Sequence, residues 1–435
     1  MLLQKLQKVL SQGGFVRNVL TLMTGTTIAQ AIPIAISPIL TRLYTPKDFG
    51  VLAVFLSVTA MIGVISTGRY ELAIMLPNDD KDGANLVVLS LIVDGFVSFF
   101  AFFILWFFHA PITRLLNTPE ISHWLYMIPI SVFLTGLYQS FNYWSNRRKQ
   151  YKRLARSRVS KSFGTGIFNI GAGLTTTGSF GLIGGEIFGQ MLSSFVLGYQ
   201  IYREDKELAK WISKEKIKEN ARRYQDFPKI NSLHAFSDYF QQTLIITLIT
   251  SFFGNTVLGF YSFTMRILRA PLGLIGASVA QVFFQKASET YNRGESLQPL
   301  VKKTMIQLSM IALPIFAIIL LFAPHLFGVL FGMEWKEAGR YAQLLSPWLF
   351  LSFVTSPISQ VPIIVNKQKS FFLISLFGNS LMVLSILLVG YLKYSIYVWF
   401  YFLIFLQTLY MGFVIFWILK VSKTRVVIDG EDSTT

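Results

Sequence analysis

"LTRLYTPKDFGVLAVF" runs from Leu40 to Phe55, and "ITSFFGNTVLGFYSFT" runs from Ile249 to Thr264. Laid on each other, Thr41 meets Thr250 and Gly50 meets Gly259, a constant offset of 209 (250 − 41). An aromatic ring stands at both Tyr44 and Phe253. In each stretch a span with a polar face is followed by a short turn and a second, long apolar run. The match is thin by identity and takes its weight from topology, because both stretches fall at the same place in a repeating pattern of apolar runs. That pattern decides the fold.

The chain has 435 residues, 53% hydrophobic and 14% charged, where soluble domains run at about 25% charged. Together with a mean hydropathy of +0.52, this describes a polytopic membrane protein. There is no cysteine, which excludes disulfides, thiol catalysis and cysteine-ligated metal. The histidines His109, His123, His234 and His325 are scattered and show no HxxxH spacing, so no zinc site is expected.

A hydrocarbon core needs roughly 20 apolar residues of helix. Twelve such runs lie at about 18–40, 49–76, 85–108, 121–144, 159–177, 180–201, 228–251, 255–284, 304–323, 341–365, 370–391 and 396–419. The net charge of +17 then reads as topology rather than as affinity for nucleic acid. Of 39 lysines and arginines, six (Arg42, Lys47, Arg114, Lys336, Arg340, Lys393) fall on one side, and Arg69, Arg266 and Arg269 lie within spans. All the others face the opposite side with both termini, which the positive-inside rule makes cytoplasmic. The opening "MLLQKLQKVLSQ" sets Leu2, Leu3, Leu6, Val9 and Leu10 on one face beside Lys5 and Lys8, the pattern of a short interfacial helix. It lacks the long apolar region and small-residue cleavage site of a signal peptide.

The spans split six and six around "REDKELAKWISKEKIKENARRYQD", Arg203 to Asp226, whose mixed charges predict a solvated amphipathic linker helix. The expected organisation is an N-terminal six-helix lobe over 1–204, a cytoplasmic linker over 205–226 and a C-terminal six-helix lobe over 227–435. The fold class is therefore all-α, with twelve transmembrane helices in two lobes related by a parallel pseudo-twofold repeat. Parallel repeats with a site at their interface are a transporter architecture.

Arg266 and Arg269, in "FTMRILRAPLG", lie roughly 15–20 Å below the outer end of their span, on one helix face at i, i+3 spacing. An arginine facing lipid at that depth costs about 2.5–3.5 kcal/mol on the mildest scale. The pair is therefore directed at protein or water. Either a buried carboxylate neutralises it, or a ligand brings the charge, and a phosphate or pyrophosphate suits two guanidinium groups. Pro271 just beyond is placed to loosen the helix.

Arg69 in "STGRYELAIML" is the counterpart in the first half, with Tyr70 beside it. It either snorkels at the inner boundary or faces a cavity; a local pair with Glu71 is disfavoured, since i, i+2 residues do not face each other on a helix. The in-span acids Glu71, Asp94, Glu186 and Asp238 are candidates for counter-ions or for proton or sodium sites. For Asp94 beside Gly95, and Glu186 in "GGEIFGQ", helix packing is an equal reading. In "NSLHAFSDYFQQT", Asn231, His234, Asp238, Gln241 and Gln242 form a polar stripe, and Asn18, Thr21, Gly25 and Gln30 form another in the opening span. Spans 1, 2, 7 and 8 are thus expected to line a hydrophilic cavity. The run "NRRKQYKRLARSRVSK", Asn146 to Lys161, reads as a topology signal with affinity for anionic lipid headgroups. Alternatively Arg147, Arg148 and Lys149 form a basic mouth that gathers an anionic headgroup. Tyr138, Asn142 and Tyr143 just above stand where a sugar or an aromatic belt would be.

Three stretches carry a family resemblance: "SPILTRLYTPKDFGVLAVFLS" (Ser37–Ser57), "STGRYELAIMLP" (Ser66–Pro77) and "RAPLGLIGASVAQVF" (Arg269–Phe283). On these the chain resembles the polysaccharide transporter (Wzx-like, O-antigen flippase) family of the multidrug/oligosaccharidyl-lipid/polysaccharide exporter superfamily, over nearly its whole length. The motifs are diffuse and shade into neighbouring families. The resemblance implies a cationic central cavity and alternating-access export of an undecaprenyl-pyrophosphate-linked oligosaccharide across a bacterial inner membrane, for polysaccharide or lipopolysaccharide biosynthesis. The arginines would then hold the pyrophosphate and the polar stripe would receive the sugars. It further implies partnership with membrane lipids and with the polysaccharide polymerase and chain-length machinery. No cofactor is expected beyond a coupling proton or sodium ion, which the carboxylates permit. No GxxxxGK[ST] loop is present, against direct use of ATP. The rival readings are a multidrug exporter of the same superfamily, which would want cavity acids for cationic drugs, and a membrane enzyme acting on lipid-linked sugars. An enzyme would need chemistry on substantial loops, and the longest expected outer loop, about Pro324 to Arg340, is short.

Overall fold

The computed structural model describes residues 14–175 and 178–423, which are helical almost throughout and contain no strand. The expected interfacial helix over 1–12 lies outside the described residues. Twelve long helices occupy the twelve apolar runs: α1 Gly14–Leu43, α2 Pro46–Ser66, α3 Asp80–Phe107, α4 Ile128–Arg147, α5 Tyr151–Thr175, α6 Phe180–Glu204, α7 Ser232–Phe253, α8 Asn255–Asn292, α9 Gln298–Phe331, α10 Lys336–Thr355, α11 Gln368–Tyr391 and α12 Ile396–Val421.

Among the described residues, eight of these are long and apolar enough on their own to cross a membrane. Two more, α8 and α10 with the turns that follow it, qualify as pairs of segments bent by 43°. In α8 the bend falls between Gly273 and Ser278, just past Pro271, whose ring removes a backbone hydrogen bond and crowds the preceding turn. Only α5 and α7 are too polar to qualify. The outward surface is apolar, as a lipid-facing surface must be: on α3, Phe96, Phe99, Phe103 and Phe107 all stand exposed.

Two expectations about boundaries need correction. The second span does not run unbroken to residue 76. It stops at Ser66, and Gly68 and Arg69 both take left-handed backbone (φ 60°) before a short helix, Tyr70–Ala73. The expected outer loop at Pro324–Arg340 is mostly helix. α9 continues to Phe331, Gly332 turns the chain at φ 104°, and a single 3-10 turn, Met333–Trp335, leads into α10. Pro324 is tolerated inside α9 because, at membrane depth, neighbouring helices and local adjustments re-satisfy the freed backbone.

The chain divides into two compact units, Met1–Gly259 and Phe260–Thr435. In the first, α5 packs against α1 and α6, α4 against α3 and α6, and α2 against α4 and α7. In the second, α9 and α10 form a hairpin and α12 packs on α10 and α11. Its core includes a cluster of rings in which Phe263 lies 4.4 Å from Trp335 and 5.0 Å from Phe331, centroid to centroid.

The repeat read from the sequence has a structural expression inside the first unit. α2 starts at Pro46 and α8 at Asn255, positions separated by the same 209 residues (255 − 46) as Gly50 and Gly259. A Cβ on Gly50 would meet the Asn255 carbonyl oxygen at 2.0 Å, and one on Gly259 would meet that of Pro46 at 1.7 Å. The contact is reciprocal, Gly50 on Asn255 and Gly259 on Pro46, as a twofold relation requires. Thr45 caps α2 in a capping box with Asp48, and Tyr44 donates from its hydroxyl to the Asn169 carbonyl at 2.6 Å, tying the α1–α2 turn to α5.

The connector after α6 is not a freely solvated helix. It forms a 3-10 segment, Lys206–Trp211, and a helix, Lys214–Arg223, and both dock on the first unit. Asn85 at the start of α3 donates to the Trp211 carbonyl at 2.8 Å and accepts from the Ser213 N–H at 2.9 Å. Trp211, Ile217 and Ala221 pack on a hydrophobic cluster containing Leu86, Trp144 and Leu197.

Replacing Gly259 by alanine should lower stability by about 1–3 kcal/mol through overpacking, read as a fall in Tm of the detergent-purified protein. Gly412→Ala in α12, where a Cβ meets nothing within 4 Å, should leave Tm unchanged or raise it.

Candidate functional site

The break after Ser66 builds the first candidate site. Because the chain turns left-handed at Gly68 and Arg69, the Arg69 side chain leaves the line of α2. It reaches a cavity of about 400 Å³ together with Val64, Leu72, Asn231, His234 and Asp238. The sequence predicted Arg69, Asn231 and Asp238 as site residues, and the fold brings them to one chamber. A non-glycine residue in this backbone region is strained, by of order 1–3 kcal/mol. His234 Nδ1 lies 3.7 Å from Asp238 Oδ2 one turn along α7. The chamber thus offers a guanidinium, an amide, an imidazole and a carboxylate.

Arg69 and Glu71 do pair, at 3.4 Å between Nη1 and Oε1. A continuous helix would hold the two side chains apart, and the left-handed turn at Gly68 and Arg69 breaks it. Glu71 is buried and its other oxygen accepts from Thr67 Oγ1. Asp94 lies further inside, fully buried, with its carboxylate against the backbone of α4 where Gly136 leaves room: a Cβ there would lie 2.1 Å from Oδ1. The Ser66 hydroxyl and the Leu137 N–H lie nearby, yet neither Asp94 oxygen forms a hydrogen bond of normal geometry among the described residues.

A second cavity, of about 390 Å³, opens among α1, α4, α5 and α6. Sequence reasoning did not assemble it. Its polar wall includes Gln30, Tyr138, Gln139, Arg158, Lys161 and Gln190. Lys161 Nζ is bound to Glu186 Oε1 at 2.6 Å, and Gln190 bridges Glu186 (3.3 Å) and the Ser131 hydroxyl (2.7 Å). Glu186, an ion-site candidate from the sequence, therefore serves as the partner of Lys161. The signal that could have revealed this cavity is the i, i+3 spacing of Arg158 and Lys161, hidden within a basic run read as topology.

The other predicted residues lie elsewhere. Tyr70 is buried in the hydrophobic cluster, donating its hydroxyl to the Ala221 carbonyl at 3.2 Å, and lines neither cavity. Arg147 donates to Asp80 at 2.8 Å and to the carbonyls of Ile74 and Pro77 at 3.0 and 2.7 Å, and Arg148 pairs with the other Asp80 oxygen. Of the three residues of the expected basic mouth, Arg147 and Arg148 are thus engaged in holding α4 to the start of α3, although Arg148 is exposed as Lys149 is. Asn18 belongs to α1, but its side chain lies outside the described residues. Gln241 is half-buried on α7. In the second unit Arg266 is half-buried, and Arg269 is exposed with its guanidinium 5.4 Å from the centroid of the Trp348 ring, a cation–π contact. Neither lines these two cavities, both of which are built within the first unit.

One charge cluster was not foreseen. Arg153, buried at the start of α5, forks onto Glu204 at 2.7 Å and Asp205 at 2.7 Å, and Trp144 Nε1 donates to Asp205 at 3.0 Å. Burial alone would raise the Asp205 carboxyl, but the hydrogen bonds from Arg153 and Trp144 and the charge of Arg153 outweigh it and hold it below the ordinary carboxylate range.

Comparison with known proteins bears on what such cavities serve. Residues 39–340 match the family model described as "Polysaccharide biosynthesis protein". Among solved structures, an inward-facing multidrug-resistance MATE transporter of the MOP superfamily superposes with a TM-score of 0.71 at 16% identity, over 92% of this chain and 94% of its own. An outward-facing one gives 0.58 at 14% identity, over 94% and 95%. A MOP-superfamily transporter from Pyrococcus furiosus, described as having a binding pocket of reverse polarity, gives 0.56 at 13% identity, over 93% and 95%. At these identities the likeness establishes the fold. No curated protein matches.

Since the carboxyl of Asp205 is depressed on folding, its stabilising effect is present above its unfolded value, about 3.9, and is lost as pH falls through the folded value. Arg153→Gln should leave the Asp205 carboxylate with only Trp144 at 3.0 Å and Arg148 at 3.9 Å, and cost about 1.5–3 kcal/mol at neutral pH, the scale of a hydrogen bond to a charged group. It should also shift the acid-unfolding midpoint, followed by circular dichroism, to higher pH.

Proposed function

This chain belongs to the polysaccharide biosynthesis protein family, and we propose on that footing that it is a flippase. It carries an undecaprenyl-pyrophosphate-linked oligosaccharide from the cytoplasmic to the periplasmic leaflet of a bacterial inner membrane by alternating access, with both termini in the cytoplasm. The chain is a multi-pass membrane protein with the fold of MOP-superfamily transporters. The observation that carries the reading is the Arg69 chamber: a polar cavity of about 400 Å³ inside a protein whose outer surface is fit for lipid.

Arg69 is half-buried there, and charged groups within membrane spans are expensive and mark substrate or ion pathways. The Arg69 chamber combines a guanidinium that a phosphate would share with Glu71 with an amide and an imidazole suited to sugar hydroxyls. Arg266 and Arg269 supply two further cations on one face of α8, fitted to a pyrophosphate on its way across. The lipid tail stays in the bilayer. Glu71, Asp94 and Asp238 are the groups we assign to a coupling proton or sodium ion. A multidrug exporter shares the fold, and substrate charge separates the two readings: an anionic headgroup needs the arginines, a cationic drug needs the acids.

The test is translocation in proteoliposomes, following a labelled polyprenyl-pyrophosphate oligosaccharide by its protection from an external glycosidase. Wild type should transport. Arg69→Gln and the double variant Arg266→Gln/Arg269→Gln, still folded and inserted, should each lose about tenfold or more, the scale of one lost charge-assisted hydrogen bond. Full activity in both variants would reduce these arginines to structural counter-ions. Wild-type inactivity, with accumulation of cationic dyes, would favour the drug exporter.

A further inference from the structure

The second cavity has a charge count that the proposed function does not use. Arg158 and Lys161 lie one turn apart on α5, both half-buried. Lys161 is neutralised by Glu186 at 2.6 Å. Arg158 donates from Nη1 to the Thr26 hydroxyl at 2.6 Å and has no carboxylate within ion-pair distance among the described residues. The group of three therefore presents one uncompensated positive charge, on a guanidinium anchored at one end and lining a cavity of about 390 Å³. That volume falls within the range of small-molecule sites, about 300–1,000 Å³.

The remaining wall has the chemistry of sugar recognition. Gln30 and Gln139 each offer two donors and an acceptor to vicinal hydroxyls. Tyr138 brings a ring face with a polar tip. Gln190 and Lys161 are already held by Glu186, so their geometry is set before any ligand arrives. One free charge matches a single carboxylate. It does not match a pyrophosphate diester, which carries two negative charges and would leave one unpaired in a membrane-embedded site.

We propose that this cavity is a subsite for an acidic sugar, a hexuronate whose carboxylate lies on the fork of Arg158 and whose hydroxyls meet the amides of Gln30 and Gln139. The inference rests on the flippase reading and narrows it: the glycan carried is an acidic one, and the sugar is recognised apart from the pyrophosphate.

The experiment is calorimetric titration of the full chain in nanodiscs of neutral lipid with three probes: cellobiouronic acid, its uncharged counterpart cellobiose, and inorganic pyrophosphate. The acid should bind wild type about tenfold or more tighter than cellobiose, the scale of a charge-assisted contact, and pyrophosphate should not displace it. Arg158→Gln should bring the two disaccharides within about twofold of each other. Arg158→Lys, which keeps the charge but loses the fork, should retain part of the preference and guards against a glutamine variant that fails to fold. Equal binding of the two disaccharides by wild type, a preference that survives in Arg158→Gln, or displacement of the acid by pyrophosphate would each overturn the proposal. Transport of lipid-linked glycans regardless of uronic acid content, with equal disaccharide binding, would sink this inference and leave the flippase standing. Selective binding of the acid with no transport would do the reverse.

Discussion

The rest of the first unit depends on the backbone contact at Gly50 and Gly259. Two helix starts, α2 at Pro46 and α8 at Asn255, meet with no side chain between them. At such a distance only glycine leaves the carbonyl oxygens of the partner turn free of a clash. The capping box at Thr45 fixes where α2 begins, and the Tyr44 hydroxyl ties the same turn to α5. From this point α2 runs along α7, where Thr243 donates to the Ser57 carbonyl at 3.0 Å, and ends at the left-handed turn that carries Arg69. One close approach thus sets the line of the helix that delivers the first candidate charge.

The two helices too polar to qualify as membrane spans by composition, α5 and α7, each bring charged residues to one of the two cavities. A helix that faces lipid on one side and water on another must be less apolar than its neighbours. In a polytopic protein a weak span is therefore informative. Here it marks the helices that carry charge to a cavity. α5 places Arg158 and Lys161 along such a face, and α7 places Asn231 just before its first turn and His234 and Asp238 within its opening turns.

The twelve helices were legible in the sequence because lipid imposes length and hydropathy on every span at once. The repeat was legible from little more than two glycines, since a contact that tolerates no Cβ restricts residue choice absolutely. Arg69, Asn231 and Asp238 were legible as polar residues in apolar surroundings. What escaped the sequence was whatever depends on which neighbours meet. Arg147 and Arg148 looked like a mouth because nothing local tells of Asp80, some 67 residues away. Arg153 looked like one more topology signal, though it is buried against Glu204 and Asp205. Arg158 lay hidden in the same run. The Arg69–Glu71 pair was misjudged because helical geometry was assumed across Gly68, where the backbone turns left-handed.

The docked connector has a consequence for how the chain tolerates change. A flexible tether contributes loop-closure entropy that grows slowly with its length. The segment from Lys206 to Arg223 behaves instead as a strut, because Asn85 grips its middle from both sides and Trp211 and Ile217 seat it on the core. Its ordering is settled once, on folding. Residues inserted beyond the gripped stretch lengthen the chain without altering what it holds. An insertion between Trp211 and Ser213 pulls apart the two backbone groups that a single amide side chain joins, and turns the strut into a leash.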